Sequence, residues 1–599
     1  MLSEQNNLKD ISLYISKSNI STKGNNTGSW RFVCPEYDEK TAPCSSACPA
    51  GEDIARIEML AAKGMFQQAW ETIIRENPFP AVCGRVCFHT CEQACNRKEL
   101  DQGIAIHNLE RLIGDMALRE NYQIPTYLNN NKLNISPKKH IAIAGAGPFG
   151  LAAAWFLSML GYSCDIFESE NEPGGILRWG IPLYRLPRDI LKYEINRIID
   201  QNFINKGIKI FCNKTFTKDL IDKNPGLYDA VFMGCGYGKS LNLGIPGKDM
   251  ALDGLKFLHD SQSYENNTYG NNTETLTAVI GGGNTAIDVA RSLKRTGAKP
   301  VIVYRRRKQD MPAFAHEVEM ALEEGIELME LLSPVSIEKN NGEYILKLQK
   351  MKTIDMEVSS KKARVVPDEN KTEILLVDRI FTAIGAEPME NWYCPPENQT
   401  NVISLSHCTF WDKKLPVVFG GDLASPVKSV TDAIASGKQA AIALDTYFKE
   451  GTGKINETIK NCSVGTGSSI SMEIYLAGQR KERSPHVVSF DEINTDYFSV
   501  NQKQEAPVLF PNERAKTFAE VEAGYDRESG LKEALRCFNC GICNDCDNCR
   551  IFCPDAAVIV KNIDKINKTR YINLDYCKGC GICVVECPRN AMCLKEEKI

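Results

Sequence analysis

The sequence predicts a multidomain α/β chain, with an α-helical domain at its front and a small α+β unit at its end. Three observations predict it. Two glycine-rich strand–turn–helix segments occupy the middle of the 599 residues. Cysteines crowd between Cys34 and Cys95 and again from Cys537 to Cys593. Hydrophobic residues at 43% and charged residues at 25% are ordinary for a globular protein, and the length accommodates several domains of roughly 100–200 residues each. A net charge of −5 gives no bulk basic surface for nucleic acid. The opening residues MLSEQNNLKD lack the apolar core of an export signal. No stretch offers ~18 continuous apolar residues, so no membrane span is expected and a cytoplasmic location is.

Residues 1–33 read as a polar extension, followed over 34–125 by a helical domain that holds seven of the 24 cysteines. Eleven more lie from Cys537 onward and six in the long middle. Disulfides are rare in reducing compartments, so clustered cysteines without an export signal favour metal sites. The isolated cysteines of the middle, with Cys593, read as structural. PTYLNNNKLNISPKK (125–139) reads as a linker.

A first dinucleotide-type domain is expected over 138–270. IAIAGAGPFGLAAAWFL (141–157) places an apolar strand before G-x-G-x-x-G and an apolar helix after it. Gly145 permits the tight turn, Gly147 lets backbone approach a pyrophosphate, and Gly150 lets helix and strand pack closely. The helix N-terminus then faces the phosphates with its partial positive charge. Glu168 ends the next strand, where a carboxylate suits a ribose hydroxyl pair. A second nucleotide domain is expected over 271–400, after the polar stretch SYENNTYGNNTET (263–275). TAVIGGGNTAIDVARSL carries Gly281, Gly283, Asn284 and Thr285 at the equivalent turn. Its next strand runs into Arg305, Arg306 and Arg307 with no acid at its end. Guanidinium forks bind phosphate bidentately, which favours NADP(H) over NAD(H); a solvated basic turn is the alternative. Residues 401–450 return to the first domain, and 451–530 read as a connecting region.

The tail, 531–599, repeats one spacing. Cys543, Cys546, Cys549 and Cys553 follow C-x2-C-x2-C-x3-C-P, as do Cys577, Cys580, Cys583 and Cys587. This is the two-[4Fe-4S] bacterial ferredoxin signature, in which the fourth cysteine of each run ligates the other cluster. One set is therefore Cys543, Cys546, Cys549 and Cys587, the other Cys577, Cys580, Cys583 and Cys553. Cys537 and Cys540 precede the first run at matching spacing and read as free or structural thiols, with a shifted register as the alternative.

EPGGILRWGIPLYRLP (172–187), YDAVFMGCGYGKSLNLGIPG (228–247), the GGGNTAID and VYRRR segments, and VFGGDLASPVKSVTDAIASGKQAA (418–441) together resemble the glutamate synthase small-subunit group. To it belong the large subunit of NADH-dependent ferredoxin:NADP oxidoreductase and the N-terminal part of dihydropyrimidine dehydrogenase. The resemblance spans roughly residues 40–445. It implies FAD in the first, split Rossmann-like domain and NAD(P)H in the inserted one, with Asp422 at the flavin's ribityl–phosphate part. Gly175, Arg178 and Arg185, in and after the GG motif, are candidate FAD contacts; exposed loop arginines are the alternative. CSSACPAG (44–51) and PAVCGRVCFHTCEQACNR (80–97) resemble the group's N-terminal cluster domain. Cys48, Cys87 and Cys91 match three ligands of the cluster nearer the flavin, with Glu110 at the place of the fourth; a salt bridge to Arg111 is the alternative role for Glu110. Cys44 and Cys95 match ligands of a second cluster, whose usual upstream cysteine pair is absent. Cys34 or Cys83 is expected to complete that set if the cluster is present.

These readings imply an NAD(P)H-dependent FAD and iron–sulfur oxidoreductase that moves electrons between NADPH and a ferredoxin or partner redox subunit, in a hetero-oligomeric complex, with the direction open. No catalytic side chain is required for the hydride step. A glutamate synthase small-subunit-type donor is one alternative, although the ferredoxin-like tail departs from that pattern. A non-catalytic electron-transfer adapter is another, and intact nucleotide motifs argue against it. Electron bifurcation would need a partner and crossed one-electron potentials.

Overall fold

The computed structural model describes all residues except 1–23, 25, 126–138, 201–206, 223–225, 263–273, 355–363, 397–398, 563–567 and 598–599. The polar extension and both polar connecting stretches thus fall largely outside the described residues.

The first nucleotide domain is built on a seven-stranded sheet ordered Val402–Ser404, Thr409–Trp411, Val417–Phe419, Ala230–Met233, His140–Ala144, Ser163–Phe167 and Ile208–Phe211. The last five are parallel. The strand His140–Ala144, which leads into the glycine-rich turn, is the middle one of these five, with its successor on one side and Ala230–Met233 on the other, which is the topological switch point where doubly wound sheets bind nucleotides. The helix Pro148–Met159 that follows is buried along its whole length. It packs under the 21-residue helix Val430–Glu450, begun by Ser429 accepting from the Asp432 amide. Their contact is close at Gly437, where a Cβ would lie 2.8 Å from the backbone of Phe149 and Ala153.

The inserted domain has a five-stranded parallel sheet, ordered Glu327–Glu330, Lys299–Tyr304, Leu276–Ile280, Arg379–Thr382 and Leu252–Asp253. A three-stranded antiparallel sheet of Leu332–Asn340, Glu343–Ile354 and Arg364–Val377 completes it. Leu252–Asp253 and the helix Gly254–Gln262, placed in the first domain by sequence, belong here: Phe257 and Leu258 share a core with Val279, Ile287 and Phe381. A strand edge supplies this assignment, and the two-residue strand is too short to show a period.

The cysteine-rich front is helical, as expected, from Pro43–Ala47 to Ile106–Arg119. It is fused to the first nucleotide domain: the Glu194 carboxylate accepts from the amides of Ala81 and Val82 at 3.0 Å each, satisfying buried first-turn N–H groups of the helix Pro80–Val86 that have no acceptor within the helix. Residues 451–530 are a structured strap rather than a tether. Ile455, Ile470, Met472 and Val488 enter the same core as the front domain and the helix Pro148–Met159. Glu76 anchors the strap, accepting from the amides of Met472 and Glu473 and from the fully buried ammonium of Lys438 at 2.5 Å. The tail ends on Met592–Glu596, which pairs antiparallel with Val33–Tyr37 from the front of the chain. No helix among the described residues is long and apolar enough to cross a membrane.

Candidate nucleotide and iron–sulfur sites

At the first nucleotide turn Gly145 takes a left-handed φ of 95°, and Gly147 is the N-cap of Pro148–Met159. The GG motif closes on it: a Cβ at Gly175 would sit 2.8 Å from the Gly147 Cα. Two backbones therefore meet where only glycine fits, leaving a cradle of amides at a helix N-terminus suited to a pyrophosphate. Glu168 lies at the turn, its carboxylate accepting from the Ala146 amide at 2.8 Å and the Glu170 amide at 3.0 Å. Gly150 is buried within the helix, where a Cβ would strike the Gly145 carbonyl. Asp422, on the turn Gly421–Leu423, has its carboxyl pushed up by burial. Arg178 holds the GG loop, donating to the Pro173 carbonyl at 2.8 Å and pairing with Glu172 at 2.6 Å. Arg185 is not at the flavin cradle. Its buried guanidinium bridges the buried Asp288 at 2.9 Å and the largely buried Glu317 at 3.0 Å in the inserted domain, a pairing that offsets the cost of burying an unpaired charge.

The second turn repeats the first. Gly281 is left-handed at φ 149°, and Gly283 caps Asn284–Arg295 with open space around its Cα. The Asn284 side chain accepts from the Phe314 amide at 2.9 Å, and Thr285 is half-buried beside it. Arg305 is exposed at the end of Lys299–Tyr304, and the buried Nε of Arg306 has no hydrogen-bond partner among the described residues. Arg307, by contrast, pairs with Asp310 at 2.8 Å. The exposed Arg305 and the half-buried Arg306, which contacts Tyr304 and keeps its Nε free among the described residues, fit a phosphate group at the strand end.

Cys48, Cys87 and Cys91 are mutual neighbours in the front domain, and Glu110 is beside Cys48 and Cys87. The Cys87 thiol lies 3.2 Å from the Thr431 hydroxyl at the start of Val430–Glu450 and receives the His89 amide. This set thus abuts the first turn of the helix that follows the Asp422 turn. Glu110 is buried, accepting from Asn77 at 3.0 Å, and the same Asn77 amide donates to Glu52 at 2.8 Å. Burial pushes Glu52 up to about 7 and Glu110 well above its ordinary range. Arg111 turns away, to Glu520 at 3.0 Å, so the Glu110–Arg111 salt bridge does not form. Three thiols and a carboxyl in a dry pocket form a donor set suited to iron.

In the tail, Cys543, Cys546, Cys549 and Cys587 line one hollow, and Cys553, Cys577, Cys580 and Cys583 line another. The Tyr37 hydroxyl contacts the Cys549 sulfur at 3.2 Å, and the amides of Ala591 and Ala557 point at the sulfurs of Cys587 and Cys553 at 3.3 and 3.2 Å. The crossed pairing follows because each run turns at its fourth cysteine toward the other hollow.

Cys34 is placed elsewhere than expected. The pairing of Cys34 with Lys595 in the two-stranded sheet holds it in the tail, away from Cys44. Cys83 lies beside the first set, near Glu110, Cys87 and Asn77, and not beside Cys44. The neighbours of Cys44 are instead Cys95, Cys537 and Cys540. Cys537 and Cys540, expected from the sequence as free or structural thiols, thus lie beside Cys44 and Cys95, a placement that only their C-x2-C spacing signals.

Against known families, residues 34–122 match the dihydropyrimidine dehydrogenase domain II, 4Fe-4S cluster model. Residues 139–406 match pyridine nucleotide-disulphide oxidoreductase, and 570–593 a 4Fe-4S binding domain. Among curated proteins, the NADP(+)-dependent formate dehydrogenase subunit beta of Moorella thermoacetica is 31% identical over 534 residues, covering 84% of this chain and 70% of that one. The NADPH-Fe(3+) oxidoreductase subunit beta of Geobacter sulfurreducens is 30% identical over 550 residues, covering 85% and 76%. The NAD-dependent dihydropyrimidine dehydrogenase subunit PreT of Salmonella typhimurium is 31% identical over 419 residues, covering 68% and 92%.

Proposed function

Because this chain belongs to the family of iron–sulfur pyridine nucleotide oxidoreductases that these relatives represent, the group its motifs resemble, we propose that it moves electrons between NADPH and a partner redox subunit or ferredoxin. Its class, an NAD(P)H-dependent flavin iron–sulfur oxidoreductase, follows from the family. The choice of NADPH rests on Arg305 and Arg306. The observation that carries the electron-transfer reading is the 3.2 Å contact of Thr431 with Cys87, which joins the flavin domain to a thiol set without an intervening layer.

Gly145, Gly147, Gly150 and Gly175 would hold the FAD pyrophosphate, with Glu168 at the ribose and Asp422 at the ribityl–phosphate part; Arg178 positions the GG loop. Gly281, Gly283, Asn284 and Thr285 would hold the nicotinamide nucleotide. Bound at these places, flavin supplies the exchange between hydride and single-electron chemistry, and iron–sulfur clusters supply one-electron carriers. The chain's own residues bind and orient these groups; the dry packing of Phe149, Phe232 and Phe419 around the sheet excludes water beneath the cradle. Two of the relatives are named as beta subunits, which supports a complex in which the tail, with its exposed Cys546 and Cys580, meets a partner.

Anaerobic titration tests the nucleotide choice. NADPH should bleach the flavin at lower concentration than NADH. In Arg305→Ala/Arg306→Ala the KM for NADPH should rise roughly tenfold to a hundredfold, as expected for about 1.4–2.7 kcal/mol of lost charge-assisted bonding, with NADH little affected. Equal loss for both nucleotides would remove the phosphate reading.

A further inference from the structure

Cys44, Cys95, Cys537 and Cys540 are far apart in sequence and together in space. Cys44 has the other three thiols as electrostatic neighbours, and Cys95 neighbours both Cys537 and Cys540. All four are free, and Cys44, Cys95 and Cys540 are each 8% exposed. Sulfurs buried in this way need partners, and they have them only in part. The Asn96 amide donates to Cys540 at 3.6 Å and the Asn539 backbone N–H to Cys537 at 3.4 Å. Cys95 receives the backbone N–H groups of Ile104 and Arg97. N–H groups aimed at thiolate sulfur are the surroundings that iron–sulfur ligands use. Glu58, almost wholly buried with an unpartnered Oε2, lies among the same thiols.

The turn that carries Cys537 and Cys540 is fastened to the front domain by side-chain contacts made from both sides. Arg97 donates to the Arg536 carbonyl at 2.9 Å, Arg536 pairs with Asp101 at 3.0 Å, and the Asn539 side chain donates to the Ala55 carbonyl at 3.0 Å. Gly541, at φ 75°, receives the Lys40 amide at its carbonyl, and a Cβ there would meet the Lys40 carbonyl at 2.7 Å. Only glycine lets the turn approach so closely.

We infer that Cys44, Cys95, Cys537 and Cys540 hold a [4Fe-4S] cluster of their own, built jointly by the front domain and the tail, so that the pair missing upstream of Cys44 is supplied from the far end of the chain. The site lies between the sets already described. Cys91 of the flavin-side set neighbours Cys44. On the other side, Arg589 neighbours Cys537 together with Cys543, Cys546 and Cys587 of the first tail hollow, and Cys583 of the second hollow neighbours Cys549. The four ligand sets thus follow one another from the Thr431–Cys87 contact to the exposed end of the tail, with Arg589 between the second and third. The purpose of the series rests on the electron-transfer reading; the existence of the site does not.

The test is metal and sulfide per chain in the full-length protein purified anaerobically. The site predicts iron for four clusters. Cys537→Ser/Cys540→Ser should lose about one quarter of iron and sulfide. Cys44→Ser/Cys95→Ser should lose the same quarter, and the quadruple variant no more than that. Cys34→Ser should lose none. Unchanged iron in the double variants, two separate quarters lost in the quadruple, or zinc in place of iron at these thiols would overturn the assignment. If the variants fail to fold, alkylation of the native chain decides. Cys537 and Cys540 should become reactive in step with Cys44 and Cys95 as iron is chelated, and their modification in iron-replete protein would contradict it. NADPH bleaching of the flavin, measured on the same samples, should persist in every folded variant. Failure of bleaching with iron intact would instead strike the functional reading alone.

Discussion

Arg185 and Arg306 show how the same side chain reads differently once its surroundings are known. Arg185 is committed to Asp288 and Glu317, so Arg185→Ala should destabilise the protein by about 3–5 kcal/mol, the usual cost of leaving a buried charge unpaired. Denaturant midpoints measure it; the flavin content of the folded fraction should stay unchanged, whereas an Arg185 on the FAD phosphates would lower that content first. Sequence offered both arginines equally, because a basic residue near a glycine loop has no visible partner until the inserted domain brings Asp288 and Glu317 to it. Glycine turns were legible because left-handed φ and close backbone approach admit no other residue. The thiols at Cys537 and Cys540 were not assignable. Asn96 and Cys540 are hydrogen-bonded yet 444 residues apart, and local spacing carries no information about so distant a neighbour.

At the scale of elements, the strap and the loops lock the nucleotide domains to the cysteine domain. Gly175→Ala would place a Cβ 2.8 Å from the Gly147 Cα and should cost FAD retention rather than iron, read as flavin per chain after gel filtration. Lys438→Met would leave the buried Glu76 carboxylate with Arg480 at 3.6 Å as its one ion-pair partner among the described residues. A loss of about 3–5 kcal/mol is expected, with the strap 451–530 the first segment to exchange amide hydrogens. The strap also meets the inserted-domain helix Ala315–Glu323 through His316 and Glu522, 2.6 Å apart. The Glu522 hydrogen bond raises the His316 pKa, and His316, against the opposing effect of burial, holds Glu522 down to about 2. The His316 contribution is full below its unfolded value near ~6.5 and is lost as pH rises through its raised folded value; that of Glu522 is full above ~4.3 and is lost as pH falls through about 2. Wild type should therefore exceed Glu522→Gln in stability most near pH ~5–6.5 and least at alkaline pH. The difference should be no more than about 1 kcal/mol, because the pair is partly exposed. A difference that grows with pH would contradict the pairing. Strand and helix periods marked the nucleotide domains, while the strap reads as mixed because its short turns bury one residue at a time.

At the scale of the molecule, the chain closes on itself. Val33–Tyr37 pairs with Met592–Glu596, and one continuous core runs from Ala42 through the helix Pro148–Met159 to Ile542. The tail therefore sits against the front domain instead of moving as a tethered carrier, and the cysteine sets become stations along a fixed path. The multidomain α/β architecture and both tail sets were legible from motifs whose parts lie close in sequence; the closure of the path was not, since it depends on the two ends meeting. The most direct measurement is anaerobic NADPH titration of the holoprotein, followed by flavin absorbance and by low-temperature electron paramagnetic resonance on the same samples. The account predicts flavin bleaching together with signals of reduced [4Fe-4S] centres. A flavin left unbleached at saturating NADPH, or bleaching without reduction of any cluster that dithionite reduces, would contradict it.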